Sequence, residues 1–67
     1  MVKIVLFQDL DCVVTLVEKG AIPKGSFCTI VMVFDTPYEA YEVEYADDKG
    51  RTIGLEEYLP EELRLRE

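Results

Sequence analysis

The apolar run Phe27-Cys28-Thr29-Ile30-Val31-Met32-Val33-Phe34, followed by the alternating stretch Tyr41-Glu42-Val43-Glu44-Tyr45, constrains this chain more than any other feature. Eight residues without a charge, three of them β-branched in succession, read as a strand in the middle of a sheet with both faces covered. The second stretch has period two: Tyr41, Val43 and Tyr45 point to one side and Glu42 and Glu44 to the other. It is therefore a strand with one buried and one wet face. Between the two, Asp35-Thr36-Pro37-Tyr38-Glu39 has the composition and length of a hairpin loop.

The flanking segments extend the same architecture. Val2-Lys3-Ile4-Val5-Leu6-Phe7 reads as an N-terminal strand or arm within residues 1–9, an apolar edge that an oligomer interface would cover. Gln8-Asp9-Leu10-Asp11 is a turn with Leu10 tucked inward, and Cys12 to Val17 is a strand apolar on both faces, interrupted only by Thr15. Residues 18–25 form a loop that Ile22 plugs over the core. Ala46-Asp47-Asp48-Lys49-Gly50-Arg51 is a tight turn, with Gly50 supplying positive φ. Thr52 to Leu55 is a short strand in which Gly54 marks a bend or bulge. Pro60-Glu61-Glu62 allows one 3-10 or helical turn, and Leu63 to Arg66 closes as a strand. The order predicts an all-β chain: residues 1–67 form one small SH3-like barrel of about five short strands, with a helical turn before the last. An OB-like barrel is the alternative. Val13, Leu16, Ile30, Met32, Val43, Ile53 and Leu63 are its expected core.

The residues Leu10-Asp11-x-Val13-Val14-x-Leu16, Ile22-x-x-Gly25-x-x-x-Thr29-Ile30-Val31-x-Val33 and Glu39-Ala40-Tyr41-Glu42-Val43-Glu44-Tyr45-x-Asp47-x-x-Gly50-x-Thr52 resemble the small bacterial proteins grouped as domain of unknown function 4926. The resemblance runs from Leu10 to Arg64. Glu-Ala-Tyr-Glu-Val-Glu-Tyr is its most specific part. Members carry glycine immediately before Thr-Ile-Val, where this chain has Cys28. The resemblance implies an SH3-like fold and no catalytic residues. It also implies a partnership with the product of a neighbouring small gene, as an antitoxin or immunity-type binder.

Composition removes most chemistries. The chain has no His and a single Ser, Ser26, with no neighbour to activate it, so neither a metal centre nor a nucleophilic triad is expected. Cys12 and Cys28 lack the C-x-x-C spacing of a zinc or redox pair and read as buried free thiols, bridged only if their strands are neighbours in register. The acids near Gly50 do not make an EF-hand, because the closing position counted from Asp47 is Tyr58. No cofactor and no catalysis are expected. With no apolar stretch of about 18 residues and no signal-peptide pattern, a cytoplasmic protein off the membrane is expected.

Charge supplies the binding hypothesis. Residues 1–34 hold three acids and three bases, whereas residues 35–67 hold eleven acids and four bases, so the net charge of −7 lies in the second half. Such a half repels nucleic acid and attracts a basic protein surface. Asp47, Asp48, Glu56, Glu57, Glu61 and Glu62 would steer the encounter, and Tyr38 and Tyr58, placed in turns, would supply the contact area. The alternative is a KOW-like nucleic-acid or ribosome-associated module, echoed by Gly25 and Cys28-Thr29-Ile30-Val31. At 67 residues the core is small enough that a homodimer is expected, through Val2 to Phe7 or the flat face of the central hairpin.

Overall fold

The structure is a computed structural model, and it describes residues 5–67. Five strands, β1 (Cys12–Thr15), β2 (Phe27–Phe34), β3 (Ala40–Ala46), β4 (Thr52–Tyr58) and β5 (Leu63–Leu65), form one antiparallel sheet in the order β4-β3-β2-β1-β5. A 3-10 turn, Pro60–Glu62, precedes β5. This is the all-β layout expected of a small SH3-like barrel. The sheet is rolled, not closed: the edges β4 and β5 are not hydrogen-bonded to each other.

The central hairpin lies where the alternation places it. Tyr41 and Val43 are fully buried, Tyr45 packs against them, and Glu42 and Glu44 occupy the outer face. Phe7, Val13, Ile22, Cys28, Ile30, Tyr41, Val43, Tyr58 and Leu63 make the core. Ile22 closes the loop between β1 and β2 as expected, and a Cβ on Gly54 would meet its Cγ1 at 3.2 Å. The bare glycine lets the loop lie directly on β4.

Three expected core residues are outside, each for a local reason. Strict alternation would put Met32 beside Ile30, but the β2–β3 register shifts between Ile30 and Met32. Val31 is the extra residue; beyond it Met32 points outward and Val33 inward. The β3–β4 register shifts likewise between Tyr45 and Ala46, leaving Ile53 as the extra residue, and Ile53 is exposed. Leu16 falls beyond the end of β1, where its N–H donates to the Glu62 carbonyl, and its side chain is exposed. β2 is covered on one face only, not on both: Phe27 is exposed by alternation with buried Cys28, and beyond the bulge at Val31 Met32 and Phe34 are exposed as well.

Smaller corrections concern the N-terminal half. Of the strand expected at Val2 to Phe7, residues 2–4 lie outside the described residues and residues 5–7 are not a strand. Phe7 is in the core, its ring edge-on to Tyr41 at 5.2 Å, and so is not an exposed edge. Leu10 is not tucked inward: it is 71% exposed, with φ of 71°. Cys12 is exposed, not buried.

Candidate functional site

Tyr41 and Tyr58 face each other at one end of the β3–β4 pairing. The loop 35–39 that enters β3 and the segment 59–61 that leaves β4 therefore part from the sheet side by side. Between them lies an open groove of about 540 Å³ lined by Tyr38, Glu39, Leu59, Pro60 and Glu61. A smaller hollow of about 140 Å³, lined by Phe34, Thr36, Pro37, Tyr38, Ala40 and Glu57, adjoins it. Tyr38 borders both; the residue is 54% exposed, and its hydroxyl donates to Glu57 Oε2 at 3.3 Å.

The walls are held from behind. Glu39 accepts the Leu6 N–H at 2.9 Å and the Tyr41 hydroxyl proton, and the Tyr41 hydroxyl in turn accepts the Phe7 N–H at 3.0 Å. Burial first, and then the Glu39 carboxylate, push the Tyr41 phenol above its ordinary pKa, so it stays a donor. On the other wall, Pro60 opens the 3-10 turn, where a missing N–H costs nothing. The Glu62 carboxylate accepts the Leu59 N–H at 2.8 Å and pairs with Lys19 Nζ at 2.7 Å. Those contacts, the Leu59 N–H foremost, hold the Glu62 carboxyl below its ordinary pKa. Lys19 also donates to the Glu57 carbonyl at 2.9 Å and sits 4.9 Å from the Tyr58 ring centroid.

The sequence-predicted site residues separate on this geometry. Tyr38 and Glu61 line the groove, and Glu57 lines the adjoining hollow, where it accepts the Tyr38 hydroxyl proton. Tyr58, expected to be free in a turn, instead ends β4 fully buried, its hydroxyl donating to the Val17 carbonyl at 3.1 Å. Glu62 is taken by the turn and Lys19, and the half-buried Glu56 lies against Gly20. Asp47 accepts the N–H groups of Lys49 and Arg51 and the Arg51 Nε–H, each at 2.9 Å, and so caps its own turn. The Arg51 N–H is the main cause of the fall in its pKa. Asp47 and the exposed Asp48 lie at the opposite end of β3, roughly 20 Å away by strand rise. Of the acids predicted for the site, only Glu57 and Glu61 thus lie at a concave surface.

Leu59, Pro60 and Glu39 line the groove although nothing local marks them. Their role follows from the β3–β4 register, which brings 35–39 beside 59–61. The groove's lining is mostly apolar, with Glu39 and Glu61 part of it and Glu57 on the adjoining hollow; no lysine or arginine lines either hollow among the described residues. Such a site suits a long side chain with an apolar stem and a cationic head. Among the described residues, no group of three or more Asp, Glu and Cys side chains is arranged to hold a metal ion, and no helix is long and apolar enough to cross a membrane.

Residues 4–65 match a family model described as Domain of unknown function (DUF4926). No curated protein and no solved structure matches the chain.

Proposed function

Because the chain belongs to the DUF4926 family, whose description assigns no activity, we propose its function from the groove: it is a non-catalytic protein-binding module that seats a lysine or arginine side chain of a basic partner. The observation that carries the reading is a groove lined by Tyr38, Leu59 and Pro60 together with the carboxylates Glu39 and Glu61, with Glu57 beside it on the adjoining hollow. The stem of the incoming side chain lies along the Tyr38 ring and Pro60 while its head reaches the rim, a geometry in which packing and charge act on the same residue. The remaining acids of the second half contribute a long-range field that speeds the encounter.

The test is an arrayed peptide library in which a central Lys or Arg is compared with Gln, probed with the purified protein. Lys- or Arg-centred peptides are expected to be retained. Retention should fall as salt rises and should be lost in Tyr38→Ala and in the double variant Glu57→Gln/Glu61→Gln, whereas Asp48→Asn leaves it intact. Equal retention of Gln-centred peptides, or retention of a mixed DNA and RNA pool in place of peptides, overturns the reading.

A further inference from the structure

β4 is an edge of the sheet, and the register fixes which of its main-chain groups are already used. Ile30 turns its N–H and carbonyl toward the β1 side, to Asp11 and Leu10, so its neighbour Thr29 turns to β3 and pairs with Glu44. Val43 and Tyr45 therefore turn to β4, where they pair with Glu56 and Gly54. Leu55 and Glu57 alternate with these and turn their main-chain groups away from the sheet. The Glu57 carbonyl agrees with this, since it accepts Lys19 Nζ at 2.9 Å. The N–H and carbonyl of Leu55 and the N–H of Glu57 remain, and among the described residues none of the three has a partner. Side chains frame this edge. Ile53 and Leu55 are 47% and 51% exposed, and residues 20–22 lie against Gly54 and Glu56 on the other face. Glu57 stands directly opposite Glu42, and among the described residues no lysine or arginine pairs with either. Like charges so placed repel each other.

We infer that this edge binds an extended segment of a basic protein as an added strand. Unpaired groups at alternate residues select another main chain in extended form, which presents carbonyls and N–H groups at the same spacing. The edge has two ends: the bulge at Ile53 interrupts it on one side, and Lys19 on the Glu57 carbonyl closes it on the other. Residues of the incoming strand beside Leu55 and Glu57 share the outer face with them. A lysine or arginine beside Glu57 thus relieves the repulsion between Glu57 and Glu42. A second copy of β4 does not fit, because Thr52–Tyr58 carries two acids and no base, and pairing it with itself adds carboxylates to a row that lacks a cation. Glu57 belongs both to this edge and to the hollow beside Tyr38, so the test reads the main chain of Leu55, which belongs to the edge alone.

The probe is a peptide of about seven alternating lysine and valine residues, blocked at both ends and matched to the length of β4. Amide hydrogen exchange of the full chain, followed by NMR, is the readout. In the free protein the Leu55 N–H should exchange faster than those of Gly54 and Glu56, and saturating peptide should slow Leu55 and Glu57 at least about tenfold. Methylating one alternate set of the peptide's amide nitrogens should weaken binding at least about tenfold, whereas methylating the other set should not. The same peptide with glutamate in place of lysine should not bind. No binding at about 1 mM peptide, equal response to the two methylated sets, or equal binding of the glutamate peptide overturns the inference. Exchange at Leu55 that slows with protein concentration in the absence of peptide makes a second copy the occupant, and overturns it too. Peptide binding that leaves Leu55 exchange unchanged overturns the edge while the groove reading stands. Every arm uses the unaltered chain, so the peptide-array result with the Tyr38 and Glu61 variants is decided separately.

Discussion

Cys12 and Cys28 lie on neighbouring strands, yet Cys12 stands opposite Thr29 and Val13 opposite Cys28, so one thiol faces out and the other in. No bridge joins them. Burial pushes the Cys28 thiol up to about 11, which removes the thiolate at neutral pH. In dilute native protein iodoacetamide should therefore add once, at Cys12, and a second adduct should appear only on unfolding. Peptide mass mapping checks this, and modification of both sites at equal rates would contradict the assignment. Thr15, the lone polar residue of an apolar strand, has a similar lesson. Its hydroxyl donates to the Pro23 carbonyl at 2.8 Å and accepts the Ser26 N–H at 3.0 Å, so it ties the loop 16–26 to β1. A hydroxyl amid apolar residues reads as an interruption until its partners are known.

At the scale of elements, the 3-10 turn depends on one carboxylate. Glu62 has a folded-state pKa below its ordinary value of 4.5, so its contribution is fully present above that value and is lost as pH falls through the lower folded pKa. The Glu62–Lys19 pair is partly exposed, and Gln keeps an acceptor for the Leu59 N–H. Glu62→Gln should therefore cost only about 0.5–1 kcal/mol at neutral pH. Urea titrations at stepped pH should show the gap between wild type and variant constant above the ordinary value and shrinking below it. A gap that persists undiminished in strong acid would place the stabilisation elsewhere. The bulges at Val31 and Ile53 belong to this scale too, since each turns an apolar residue expected in the core out to the surface. Alternation carries no mark of where a residue is inserted, because an extra residue is seen only against its partner strand.

Over the whole molecule, one small core carries the stability. For a chain of this length roughly 3–10 kcal/mol is available in total. Val43 is fully buried on β3, between β2 and β4. Val43→Asp places an unpaired carboxylate there at a cost of several kcal/mol. The variant should be unfolded at 25 °C and neutral pH by circular dichroism. A cooperative melt within a few degrees of wild type would remove Val43 from the core.

What the sequence alone determined is what short-range physics controls. Apolar runs, strict alternation at Tyr41 to Tyr45, turn chemistry at 35–39 and 47–51, and Pro60 before two acids specify five strands and one 3-10 turn, and they place Val13, Ile30, Val43 and Leu63 inside. Charge asymmetry pointed to six acids, Glu57 and Glu61 among them, and aromatic character in a turn pointed to Tyr38. The tertiary structure alone decided which acids remain at a concave surface and which are spent on the fold, because Asp47, Glu62 and the buried Tyr58 differ from them only in partners far away or across a turn. It decided the groove in the same way. Leu59 and Pro60 meet Tyr38 through the register of β3 against β4, and register is a property of two strands together that neither strand's own residues contain.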